Sequence, residues 1–187
     1  MPLIIYQPLE ASTEAFVRFW SARCTGYDEK FYQSNVHQEL TEARILEWFE
    51  WKNGMPLADH KLESVRRNYV ARRLELYEIP DDESDAAILA RFGAGGAIWR
   101  IFWLHCWRPD RFPIYDQHVH RAMVFIESGE IGEISNKDSE KISSYLNHYL
   151  PFRRRFQSID QREADKALWA YGKFIDGNNF PVQPLAQ

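Results

Sequence analysis

Two groups of residues have the types and spacing for chemistry, and both lie between Phe92 and Arg121. The first is Gly93-Ala94-Gly95-Gly96. Three glycines in four residues can reach positive φ and let another backbone come close. Backbone N–H groups presented at such a turn can grip a phosphate. The second is Asp116, with His118 and Arg121 just after it. An apolar segment and a proline-bearing link separate the two groups. That arrangement can set a carboxylate beside a sugar whose phosphate the turn holds. His118 and Arg121 are candidates for phosphate contact or for support of the turn.

Each group also has a plainer use. Asp116 can serve only as a helix N-cap. Asp116→Asn separates the two uses, because Asn caps about as well without the charge, and stability is expected to survive. Asp116, His118 and His120 would share a strand face and could hold a metal. On a helix, 116 and 120 share a face and 118 points away. Helix is the expectation after Asp116, which argues against the metal. Trp99, Trp103 and Trp107 fall at spacing four, a stripe that serves a core before it serves as a stacking platform.

The elements that must position these residues read as helices. Ser12 can cap a helix through Phe16, Val17 and Trp20. Asn35 with Gln38 resembles a capping box for a second, which carries Leu40, Ile45, Leu46, Trp48 and Phe49 and stops at Asn53-Gly54. Asp59 can start a third, with Leu62, Val65, Tyr69 and Leu76 inward, ended by Pro80. The acidic run Asp81–Asp85 suits the start of a fourth through Ile88 and Leu89. Ile98 to Trp107 is apolar nearly all round and reads as a buried helix. Pro109 and Pro113 keep the next link extended. Asp116 then caps a helix through Val119, Ala122, Met123 and Ile126, with Gly129 as its stop. Ile142, Tyr145, Leu146 and Tyr149 recur at helical spacing. Asp160 with Glu163 opens a last helix through Leu168 and Ile175, and the tail from Asp176 reads as loop. A short strand is expected at Leu3–Tyr6. The fold class is all-α, in one domain over residues 1–187.

The chain is 45% hydrophobic and 15% aromatic, which suffices for a sizeable core. The net charge of −4 argues against a broad nucleic-acid-coating surface. Local basic strips remain at His60 to Arg73 and at Arg153-Arg154-Arg155. Cys24 and Cys106 are too few for a disulfide framework or the four thiolates of an iron–sulfur cluster. Reduced structural cysteines in a cytoplasmic protein are expected. No segment reads as a secretory signal or a membrane span.

The segment Phe92 to Arg121 resembles the helix–hairpin–helix signature of the DNA glycosylase superfamily, nearest its 8-oxoguanine branch. In that superfamily a proline- and glycine-bearing hairpin precedes a buried helix and an aspartate motif. Here the hairpin is Arg91-Phe92-Gly93-Ala94-Gly95, without the proline. The aspartate motif is Pro113-Ile114-Tyr115-Asp116-Gln117-His118-Val119-His120-Arg121. The register from Gly95 to Asp116 fits, and Asp165 to Lys173 looks like the closing helix of that branch.

The resemblance implies a fold of two intertwined helical lobes, with hairpin and catalytic motif in residues 84–127. It implies damaged or modified duplex DNA as partner, with no membrane. Asp116 would be catalytic. Gly93, Gly95 and Gly96 would bind DNA phosphate, with hairpin carbonyls open to a monovalent cation and no other metal or cofactor. Bifunctional members carry an amine nucleophile two residues past the second hairpin glycine. That position is Ala97, so the resemblance implies hydrolysis by water without a Schiff base. The alternative is an inactive DNA-binding module.

Overall fold

A computed structural model describes residues 12–177. The strand expected at Leu3–Tyr6 lies outside the described residues. Among the described residues every regular element is helical, as the all-α expectation requires.

Local capping chemistry accounts for most helix starts. Ser12 caps α1 (Thr13–Ser21) by accepting from the Ala15 N–H. The helix α2 (Glu29–Asn35), not foreseen in the sequence, is capped by Asp28. Asn35 therefore ends a helix instead of opening one, and its amide bonds back to the Phe31 carbonyl at 2.8 Å. The cap of α3 (Glu42–Asn53) is Thr41, whose hydroxyl accepts from the Arg44 N–H. Gly54 closes α3 at φ 73°, where a glycine carries no steric penalty. The helix expected from Asp59 to Leu76 changes pitch midway. It divides into α4 (Asp59–Asn68) and a tighter 3₁₀ stretch, Val70–Glu78. Val65, Tyr69 and Leu76 still face inward across the break.

Ser84 caps α5 (Asp85–Arg91), and the glycine turn leads into α6 (Ala97–Trp107). Ile101, Phe102, Trp103 and Leu104 on α6 are each at most 1% exposed, so this helix is the centre of the core. Phe49 and Trp48 of α3 meet Phe102 edge-on, and Tyr69 leans on Trp103. Burying a ring of this size contributes roughly 1.5–3 kcal/mol. Asp116 caps α7 (Gln117–Ser128), which Gly129 closes.

A clamp on the link before Asp116 comes from a part of the chain with no obvious motif. After α8 (Asp138–Ser144) the helix widens into one π turn, Tyr145–Tyr149, and resumes as α9 (Leu150–Arg153) and a 3₁₀ turn, Arg154–Phe156. Pro151, lacking an N–H, explains the widening, since its ring crowds the carbonyl of the preceding turn. The Tyr145 hydroxyl donates to the Pro113 carbonyl and the Tyr149 hydroxyl to the Ile114 carbonyl. Both rings are fully buried.

The last helix, α10 (Gln161–Gly177), begins at Asp160, which accepts from the Glu163 N–H at 2.9 Å. Asp176 still belongs to α10 instead of starting the loop. α10 packs against α1 and α7. At Gly172 it touches α7 so closely that a Cβ would collide with the His118 carbonyl. No helix among the described residues is long and apolar enough to cross a membrane.

Candidate active site

Asp116 stands at the end of the clamped link, with extended backbone at φ −155°. Its side chain folds over the first turn of α7. Oδ1 accepts from the His118 and Val119 N–H groups at 3.0 and 3.1 Å. The capping role is therefore real. It uses one carboxylate oxygen and leaves the other.

Oδ2 accepts from Lys52 Nζ of α3 at 2.7 Å, with the side chains 9% and 13% exposed. Burial pushes the Asp116 carboxyl up, but the Lys52 charge and hydrogen bond outweigh it, and the pKa lies below the usual carboxylate range. Burial also opposes the Lys52 charge. Asp116 and the Tyr27 hydroxyl more than compensate, so Lys52 stays an ammonium. Sequence reasoning missed Lys52 entirely. It sits in the last turn of a helix that looks like core, and only the tertiary structure brings it to Asp116.

The pair forms part of the wall of a cleft of about 650 Å³. Gly96 and Ala97 at the glycine turn line the same cleft, as do Trp99, Trp169, Tyr27 and His118. Tyr27 and Trp169 meet edge-on at 5.0 Å, and His118 meets Trp169 at 5.4 Å. Trp99 is half-buried at this cleft while Trp103 is fully buried, so the tryptophan stripe starts in the cleft and runs into the core.

His118, the candidate named from sequence, lies at the cleft although helical face-counting set it away from Asp116. His118 lines the cleft with Asp116, whereas His120 turns to the Tyr115 hydroxyl at 2.7 Å. The reason is that Asp116 is a cap with extended backbone, so helical face-counting from residue 116 does not apply to it. His118 Nδ1 faces the Arg121 guanidinium, which can only donate. Nδ1 is therefore the acceptor, and Nε2 carries the hydrogen in the neutral ring. Burial lowers the His118 pKa, which favours that neutral form. No cluster of three or more metal-ligating side chains exists among the described residues.

Arg121 is buried and pins α7 to its surroundings. It bonds both oxygens of Glu133 at 2.9 and 3.0 Å, and pairs with Asp176 at 3.2 Å. It is absent from the cleft lining. At the glycine turn, Gly95 has φ 82°, and a Cβ there would collide with the Tyr69 hydroxyl. Gly96 has open space around it. The Gly93 and Gly95 carbonyls accept from Arg100 at 3.0 and 3.3 Å. The guanidinium thus supplies positive charge where a monovalent cation is expected from the resemblance. Burial opposes the Asp138 charge, but the Ala97 N–H at the start of α6 and the Lys141 ammonium outweigh it and hold its carboxyl below the ordinary value.

The triple-arginine strip disperses on folding. Arg153 is buried against Asp165 at 2.9 Å, and Arg155 pairs with Glu127. No family model matches the chain, and no curated protein or solved structure matches it.

Proposed function

We propose that this protein is a monofunctional DNA glycosylase of the helix–hairpin–helix kind, hydrolysing the N-glycosidic bond of a modified or damaged base. The observation that carries this reading is the shared cleft: Asp116 and the turn at Gly96-Ala97 line one cavity edged by Trp99, Trp169 and Tyr27. A base taken from the stack needs such aromatic faces, and its sugar needs an anion nearby.

In the reaction the C1′–N bond breaks, its electron pair leaves with the base, and positive charge develops on the sugar. A carboxylate held ionised stabilises that charge. Asp116 is held below its ordinary pKa by Lys52 and the α7 N–H groups. This makes it a weak base and a durable anion, so its work is electrostatic and it orients the water more than it deprotonates it. His118 offers Nε2–H as a donor at the cleft wall. Lys52 is held protonated, which favours water over an amine as nucleophile.

A second reading is an inactive DNA-binding module. It is favoured by one internal pairing, in which Lys52 neutralises Asp116. The test is a panel of duplexes, each bearing one lesion, followed by alkali to reveal abasic sites. Excision of at least one lesion, with no borohydride-trapped adduct, is the expected result. Salt-dependent duplex binding with no excision across the panel would favour the module. A trapped adduct that Lys52→Gln abolishes would replace water with the Lys52 amine.

A further inference from the structure

A second cleft of about 430 Å³ adjoins the first, and Lys52, Asn53, Gly96 and Trp99 line both. The rest of its wall is His60, Lys61, Ser64 and Tyr69. The two clefts differ in charge. The first contains the Asp116 and Asp138 carboxylates, whereas the lining of the second has no acidic residue and two lysines. Of these, Lys52 is already paired with Asp116, so the available charge is that of Lys61.

Lys61 is held in place without being neutralised. Its Nζ donates to the Asn53 amide oxygen at 2.9 Å and lies 5.8 Å from the Trp99 ring centre. Ser64 Oγ accepts from the Asn68 amide at 3.1 Å, which leaves the Ser64 hydroxyl hydrogen available to donate. Tyr69 is 1% exposed, and its hydroxyl has no hydrogen-bond partner. That hydroxyl is aimed at Gly95 on the glycine turn. A buried, unpaired hydroxyl costs free energy unless a partner arrives. An ammonium, a serine hydroxyl, a buried tyrosine hydroxyl under Gly95 and an exposed histidine thus belong to the wall of one cleft, which Gly96 also lines.

We propose that the second cleft is a phosphate subsite, built by α4 and the glycine turn, in which Lys61, Ser64 and Tyr69 hold one phosphate of a nucleic-acid strand while its neighbouring nucleotide occupies the first cleft. Only the source of the phosphate rests on the nucleic-acid reading. The donor set itself suits any phosphate mono- or diester.

The test is an amide-shift titration of the ¹⁵N-labelled full chain, with inorganic phosphate in one arm and a short duplex carrying a stable abasic analogue in the other. Saturable shifts at Lys61, Tyr69 and Gly96 are expected in both arms, with Lys61→Gln weakening each about tenfold. Tyr69→Phe should weaken binding about threefold while leaving the unfolding midpoint unchanged or raised, because it removes an unpaired group. A merely structural hydroxyl would show the opposite pattern. Absent shifts in both arms, or wild-type binding in both variants, would overturn the subsite. Phosphate binding in a protein that excises no lesion keeps the subsite and removes the glycosylase reading. Duplex binding that leaves Lys61 and Tyr69 unshifted removes the subsite and keeps that reading.

Discussion

Asp116→Asn is the substitution that most directly probes the site, and the structure changes what it should do. From capping alone the variant would be as stable as the parent, because the Asn side-chain oxygen can still accept from the His118 and Val119 N–H groups. The Lys52 ammonium, however, loses its anion while its side chain remains only 9% exposed. Breaking one partner of a buried ion pair costs about 3–5 kcal/mol. A second route gives a similar ceiling. If Lys52 instead sheds its proton at pH 7, moving its pKa down from its ordinary value costs about 5 kcal/mol. In a chain of this length that loss lowers the midpoint by about 10 °C.

The dependence on pH provides a sign. In the parent the folded pKa of Lys52 is raised and that of Asp116 lowered. The pair's contribution is therefore full near neutrality. It is lost as pH falls through the lowered Asp116 value or rises through the raised Lys52 value. In Asp116→Asn the folded Lys52 pKa drops below its unfolded value, so the unfolded chain binds more protons. Stability then rises with pH between neutrality and about pH 10. Urea unfolding of both proteins at pH 6 to 9 measures this. Lys52→Met with Asp116→Asn, which removes both charges, should return to within about 1.5 kcal/mol of the parent. That double variant is also the proper vehicle for the activity test, because excision there would have no Asp116 charge to depend on. An Asp116→Asn protein with the parental midpoint and no added pH slope would refute the claim that the two charges are coupled in a buried pair.

Three further outcomes follow from other positions. Gly96→Asp should keep or slightly raise the unfolding midpoint, since Gly96 caps α6 in open space and Asp is a better cap. It should nevertheless weaken duplex binding at least tenfold by fluorescence anisotropy; unchanged affinity would detach the turn from phosphate. Gly95→Asp is a confounded test of the turn, because φ 82° and the Tyr69 hydroxyl make any side chain there cost about 1–3 kcal/mol. Gly172→Ala should cost more than about 3 kcal/mol by thermal unfolding, because its Cβ collides with the His118 backbone and α7 must part from α10; a near-parental midpoint would contradict that packing.

The remaining prediction concerns His105. Burial lowers its pKa to about 3, with the Phe112 carbonyl opposing in part. That carbonyl can only accept, so Nδ1 carries the hydrogen and Nε2 accepts from the Tyr32 hydroxyl at 3.0 Å. The folded pKa lies below the unfolded one. Its contribution, at most about 5 kcal/mol, is therefore present above pH 6.5 and lost as pH falls from there toward 3. His105→Gln should flatten that limb of a stability–pH curve, and an unaltered limb would assign acid sensitivity elsewhere.

What the chain determined by itself is what depends on near neighbours. Ser12, Asp116 and Asp160 cap their helices because a side-chain oxygen needs only the N–H two or three residues on. Gly54 and Gly129 end theirs because only local backbone strain is at stake. The apolar run of α6 had to be buried wherever the rest of the chain went. At Asn35 the local start signal misled: Asn35 ends α2, whose Phe31 and Tyr32 pack on Trp48 and Trp51, and Thr41 caps the next helix.

The site itself was half legible. Asp116 and the glycine turn stand out because backbone chemistry leaves a compositional trace. Lys52 does not, since it lies 64 positions from its partner and nothing around it in the chain marks it as buried. The same holds for Tyr149 against Ile114 and for Arg121 against Gly172, whereas the second cleft draws His60 and Lys61 from a basic strip that the sequence did show. An ion pair or a cavity wall is a relation between distant segments, and its energy exists only when folding removes the intervening water. The tertiary structure therefore decided the electrostatic state of Asp116, its pairing with Lys52 and which side chains share its cleft.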